Sequence, residues 1–228
     1  MRLYIAIPGA VLTYYFSLEN GWRSTQDVFH RFSLASALSG SMLLYVFCML
    51  PFAMVFCEDM EHRYVRYQII RGNLIEYVVS KVTVIYISSV LVYVFSSMLF
   101  VAACRVQLPW VVPGHSYLSF RFGELIENGY YWLYYLVTAL QRGFLAGALS
   151  VMTAFLSLFS INKLMAMALP VCLLQVINEL AGIKQVTLFW FIGLSRITPH
   201  DWIDFLYAFC ISVLISGLAG AGIIRKLK

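Results

Sequence analysis

"MVFCEDMEHRYVRYQIIRGNLIEYVVSKVTVIY", Met54–Tyr86, begins and ends in residues suited to the interior of a bilayer. Between them stand Glu58, Asp59, Glu61, Arg63, Arg66 and Arg71, within a few helical turns. The rest of the chain is far more apolar. Of its 228 residues, 61% are hydrophobic and only 12% charged, against roughly 45–50% and about 25% in a soluble globular domain. That leaves too little polar surface to coat a water-soluble globule. Composition therefore implies a single all-α integral membrane domain over residues 1–228, and the charged stretch has to be a link between spans.

Six segments have the length and apolarity of spans, which need about 20 residues each. They are Leu3–Leu18, Leu34–Cys57, Leu74–Cys104, Gly143–Ser160, Lys163–Ala181 and Pro199–Ile224. The first is short, with Arg2 before it, and is open to reading as a signal peptide; no A-x-A-like site follows before "SLENGW".

The net charge of +5 is spread singly between apolar runs and ends in "IIRKLK", a pattern that suits topology rather than nucleic acid. Basic residues at span ends hold those ends in the cytoplasm. With the N-terminus inside, Arg2, Arg63, Arg66, Arg71, Lys81, Lys163, Arg225, Lys226 and Lys228 face the cytoplasm. Arg23, Arg31, Arg105, Arg121, Arg142, Lys184 and Arg196 then face out. Both termini are expected inside. Cys48, Cys57, Cys104, Cys172 and Cys210 form no CxxC or Cys/His spacing, and most lie in apolar runs as small hydrophobes.

Two expected outer stretches are aromatic: "NGYYWLYYLVTALQRG" (Asn128–Gly143) and "TLFWFIGLSR" (Thr187–Arg196). Tyr and Trp favour the membrane interface, so both read as helices lying in or dipping into the outer interface. The alternative is that they are outer ends of long tilted spans.

Within the opening stretch, Gly72 is a poor helix residue, Asn73 is a fit N-cap and Glu76 stands at capping-box spacing. The third span thus starts near Leu74, and Met60–Arg71 is expected as a separate short helix. Met60, Tyr64 and Tyr67 share one face, while His62, Arg63 and Arg66 share another. A helix of this kind either lies on anionic headgroups or docks on a cytoplasmic partner.

Six spans, inside termini, an acidic residue just after span two and a charged helix leading into "RGNLIEYVVSK" together resemble a type-2 ABC exporter permease of the bacterial cytoplasmic membrane. The resemblance implies that Met60–Arg71 is the coupling helix, seated in a cleft of the ATP-binding subunit. Glu58 or Glu61 matches the family's acidic position, and Arg71–Gly72 and Lys81 fit its turn and third span. The coupling residues it implies are Glu58, Glu61, Arg63, Tyr64, Arg66, Tyr67 and Arg71. It also implies outer re-entrant segments where the two aromatic stretches stand, two ATP-binding subunits, and a second permease copy or a related permease. Members usually begin with an amphipathic cytoplasmic helix, whereas Met1 here stands almost at the first span.

No GxxxxGK[S/T] phosphate loop is present, so ATP and magnesium are expected in the partner subunit and no cofactor in this chain. "EDMEHR" comes near the EExxxR motif of CAAX-type intramembrane proteases, in which paired carboxylates activate water. Its companions fail: no Arg has a Phe four residues before it, and His115 and His200 are followed at the required spacing by Ser119 and Asp204. Ion carriage needs ionisable residues within the spans. Their centres read as nearly free of charge, with Glu179 and Asp204 toward outer ends, which favours an amphipathic cargo such as a bacteriocin-like peptide or a lipid-like drug. Gly143-x-x-x-Gly147 and the Gly217/Gly220/Ala221 cluster permit close helix approach, within one subunit or between two. Pro170 is expected to kink span five, and Thr198–Pro199 with Asp201 reads as the cap and first turn of span six.

Overall fold

A computed structural model describes residues 7–12, 27–37, 40–52, 55–61, 73–112, 116–159, 168–170 and 201–227, with the single positions 165 and 172. Among them the chain is mostly helical and has no strand. Its elements are α1 (Val28–Ala37), α2 (Gly40–Met49), α3 (Val55–Glu61), α4 (Leu74–Gln107), α5 (Gly123–Glu127), α6 (Tyr131–Leu156) and α7 (Asp201–Leu227). Helices α4, α6 and α7 are long and apolar enough to cross a membrane. Residues 7–12 are also helical.

Helix α4 begins where its cap residue dictates. Asn73 is extended, and its side chain accepts the backbone N–H of Ile75 at 3.2 Å, satisfying one of the four orphan donors of the first turn. Glu76 adds a negative charge at the positive end of the helix dipole. At ~1.5 Å per residue the helix is roughly 50 Å long, so it exceeds a hydrocarbon core of about 30 Å and either tilts or projects beyond it.

Small residues let α6 approach α4. A Cβ on Gly143 would lie 3.3 Å from Val90 Cγ1, so the backbone itself forms the contact surface. The glycine pair therefore serves packing within the chain. The two helices run antiparallel, with Val78 and Ile85 of α4 packed in one apolar cluster with Val151 and Ala154 of α6. Helix α7 joins through Phe144 against Phe205 and Phe209, and through Tyr86 Oη, 2.7 Å from Ser212 Oγ. It is parallel to α6, so Leu156 and Asp201 stand at opposite ends of the bundle. Buried hydroxyls are satisfied within their own helices: those of Ser89, Ser96, Ser97, Thr138, Ser150, Thr153 and Ser216 each donate to a carbonyl one turn back. In an apolar setting this avoids the cost of an unmade bond.

Three expectations change in detail. The stretch Leu34–Cys57 is not one uninterrupted helix. α2 stops at Met49, the chain turns over Leu50–Phe52, and α3 begins at Val55, ahead of Met60. Pro51 has no N–H and would clash with the carbonyl four residues back, so the ladder ends there. Asn128–Gly143 is not a separate interfacial helix, because α6 runs unbroken from Tyr131 through Gly143. Gly143 costs a helix up to about 1 kcal/mol, yet it is buried against Val90 and tertiary packing carries the helix through. The short α5 and a turn at Asn128–Gly129 precede it instead. The third change concerns Gly217: no described atom lies within 4 Å of a Cβ built there, whereas one on Gly222 would lie 2.7 Å from the Phe155 ring. Most of the fifth expected span, the stretch Thr187–Arg196, Glu179 and the Thr198–Pro199 turn lie outside the described residues.

The two ends of the bundle differ in chemistry. Trp110 follows α4, while Trp132 and Trp202 open α6 and α7, so one end is a tryptophan end. At the other stand Lys81 of α4 and Arg225 and Lys226 of α7. We refer to it as the lysine end.

Candidate functional site

At the lysine end α3 is attached to the bundle at two points. Phe56 is fully buried and belongs to the cluster of Val78, Ile85, Val151, Ala154, Ala219 and Ile223, where α4, α6 and α7 meet. Asp59 lies three residues on, nearly the same helical face, and reaches the first turns of α4. Its carboxylate takes a hydrogen bond from Tyr77 Oη at 2.5 Å and forms an ion pair with Lys81 Nζ. Lys81 Nζ also lies 5.0 Å from the centroid of the Tyr77 ring and 5.8 Å from that of Phe56. Glu58 is near enough to act on the Lys81 charge. An ammonium held by a carboxylate and two ring faces is a fixed cation, partly shielded from solvent.

Glu58 sits in this corner, but the acid that binds α4 is its neighbour Asp59. The signal was present in the sequence. Asp59 shares a helix face with Phe56, whereas Glu58 is rotated about 200° from it at ~100° per residue. Glu61 ends α3, with its side chain outside the described residues, and Arg63, Tyr64, Arg66, Tyr67 and Arg71 lie outside them altogether. The described residues that flank this stretch, Glu61 and Asn73, both stand at the lysine end.

A second polar cluster closes the tryptophan end. The turn at 117–122 places Phe122 in the left-handed region, φ 56°, a conformation uncommon for a bulky residue. The next residue must be glycine, since a Cβ on Gly123 would sit 2.0 Å from the Tyr117 carbonyl oxygen. This turn presents two groups to the first turn of α7. The Phe122 N–H donates to Asp201 Oδ2 at 2.7 Å, and Arg121 Nη2 meets Asp204 Oδ2 at 3.3 Å. Burial pulls the Arg121 guanidinium below its ordinary range, while Asp204 and Asp201 pull it back. Asp204 is therefore a partly buried ion-pair partner rather than a snorkelling surface acid.

Beside it, Asp27 joins three segments. Fully buried, it accepts the His30 backbone N–H at 3.1 Å and the Tyr117 hydroxyl at 3.0 Å, and lies 2.8 Å from His30 Nδ1. Tyr117 Oη in turn accepts the Val112 N–H at 3.2 Å, and the Val28 N–H reaches the Pro109 carbonyl.

One charged residue, Arg142, stands in a span rather than at the expected outer end. Because α6 is continuous, Arg142 falls near the middle of its 26 residues instead of at an outer end, and it is buried. Its guanidinium lies 5.9 Å from the Phe32 ring centroid and within electrostatic reach of Tyr45 and Tyr134.

What the fold and these sites define, among the described residues, is a mostly helical chain with three helices fit to cross a membrane, an ionic anchor at one end of its bundle and a buried polar network at the other. Comparison with protein-family models, curated proteins and solved structures finds no match.

Proposed function

We propose that this chain is the membrane-spanning subunit of an ATP-driven exporter of the type-2 ABC class. The observation that carries the reading is the α3–α4 corner. A short helix after the second apolar segment is anchored by Phe56 and Asp59, and the sequence that follows it carries Arg63, Tyr64, Arg66, Tyr67 and Arg71. That is where a coupling helix would stand, on an anchored base. Basic residues at the lysine end and tryptophans at the other support placing the lysine end, with both chain termini, in the cytoplasm of a bacterial cell. In this reading six spans form each subunit and two subunits, identical or related, line the path. Two ATP-binding partners supply the ATP and magnesium chemistry, and this chain performs no catalysis. Mostly apolar spans, with the buried cation Arg142 in α6, suit an amphipathic cargo, peptide or lipid-like.

The test is reconstitution with an ATP-binding subunit. The complex should hold two copies of each and hydrolyse ATP, whereas the lone chain should not. Buried aromatic anchors often contribute about 2 kcal/mol or more. Tyr64→Ala and Tyr67→Ala should therefore weaken assembly about 10-fold or more, at about 1.4 kcal/mol per tenfold. ATP turnover by the lone chain, or normal assembly of both tyrosine variants, would sink this function.

A further inference from the structure

We propose that Asp59 and Lys81 are positioning residues that transmit displacement of the stretch after α3 to the corner of α4, α6 and α7. The inference rests on the exporter reading, since it assigns the route by which a push at residues 62–72 reaches the spans.

The geometry is that of a two-point attachment. A helix held only by Phe56 is free to pivot about that ring, because apolar contacts are not directional. Asp59, just under one turn on, removes this freedom by binding two α4 residues one turn apart, Tyr77 and Lys81. Rotation of α3 about its own axis then breaks either the apolar plug or the ion pair, so α3 and the first turns of α4 move as one body. Lys81 is kept in place from its other side by the Phe56 and Tyr77 rings. The plug belongs to a buried cluster to which all three long helices contribute, so movement of this unit reaches that cluster. Tyr77→Phe would leave the ion pair, and Asp59→Asn would leave the hydrogen bond with Tyr77. Lys81→Met keeps the stem against the rings and deletes the charge. The pair's ionic part can thus be removed without opening the packing.

The experiment uses the full chain with its ATP-binding subunits in nanodiscs, with spin labels at Val106 of α4 and Tyr207 of α7, both exposed near the tryptophan end. Distances are measured without nucleotide and after trapping with ATP and vanadate. Wild type should show a nucleotide-dependent shift. Asp59→Asn and Lys81→Met should still assemble and hydrolyse ATP at close to the wild-type rate, yet lose most of that shift, and the exchange Asp59→Lys/Lys81→Asp should restore it. A merely structural role would lower thermal stability without separating hydrolysis from movement. A full shift in both single variants overturns the clamp alone. Loss of assembly in both single variants also overturns it, because the pair would then be a folding or docking element. Failure of the wild-type chain to assemble or to support hydrolysis overturns the exporter reading, and the clamp with it.

Discussion

A Cβ on Gly147 would lie 2.8 Å from Cδ2 of the Tyr86 ring, and that ring is not free to retreat because its hydroxyl is 2.7 Å from Ser212 Oγ. One glycine thereby controls how closely α4, α6 and α7 can approach. Gly147→Ala should destabilise the bundle by about 1–3 kcal/mol, the usual cost of overpacking. Gly217→Ala, with no described atom within 4 Å of its new carbon, should be neutral or slightly stabilising. Unfolding midpoints of the two variants in the same micelle measure the difference, and equal midpoints would refute the close-approach argument.

Buried Arg121 and partly buried Asp204 form a pair that should be costly to break from one side. Arg121→Met removes the cation that meets Asp204, and a loss of about 3–5 kcal/mol is expected. Replacing Arg121 and Asp204 together with apolar residues should lose clearly less, because no charge is then stranded at Asp204. A double-mutant cycle on unfolding free energy measures this coupling, and strict additivity would show that the pair contributes no interaction of its own.

Local signals in the sequence were legible and long-range ones were not. Asn73 marks the start of α4 because capping is decided within two residues, and Gly143 and Gly147 declare a close contact by their spacing alone. Pro51 announces a break, but hydropathy runs straight across it and merges two helices into one apparent span. Arg142 reads as an outer residue only if α6 stops short of it, and what carries α6 onward is contact with Val90 on another helix. The bonds of Asp201 to Phe122 and of Asp204 to Arg121 link positions far apart in the chain, with no local pattern to declare them. Asp59 lay in plain view among four neighbouring charges. Its role follows only once Phe56 is known to be buried, which fixes the face of α3 that meets α4.

Tyr117 gives a pH dependence with a definite sign. Burial, then the adjoining Asp27 carboxylate, pushes its phenol above the ordinary tyrosine range, although the Val112 N–H opposes the shift. The native state therefore holds this proton more tightly than the unfolded chain does, where tyrosine titrates near ~10. Its contribution to stability is complete below that pH and is lost as the pH climbs toward the raised native value. Wild type should exceed Tyr117→Phe in thermal stability at pH 8, and the gap should narrow above about pH 10. A gap that stays constant to pH 11 would exclude this linkage.

The tryptophan end should sit at one membrane interface. Single-tryptophan variants retaining Trp110, Trp132 or Trp202 should be quenched best by lipids brominated near the glycerol backbone, and similarly to one another. Trp202 is 60% exposed and Trp132 48%, so both rings are accessible to lipid. Strongest quenching from labels near the acyl-chain ends would place the helices at another depth and remove the basis for the interface assignment.

Arg142 also constrains how the protein enters its membrane. It lies about 15 Å along α6 from Trp132 at ~1.5 Å per residue, so with Trp132 at an interface it falls near mid-bilayer. Alone, an arginine at that depth costs a nascent helix about 2.5–3.5 kcal/mol of insertion free energy. Phe32 of α1 and Tyr45 of α2, which lie around its guanidinium, are synthesised earlier, and so is Val90 of α4, which receives Gly143. When α6 leaves the ribosome its docking surface is already made. Biogenesis of this protein is thus ordered by its own chain: α6 is integrated as a guest of helices that precede it, and a version lacking α1 and α2 should leave α6 outside the bilayer.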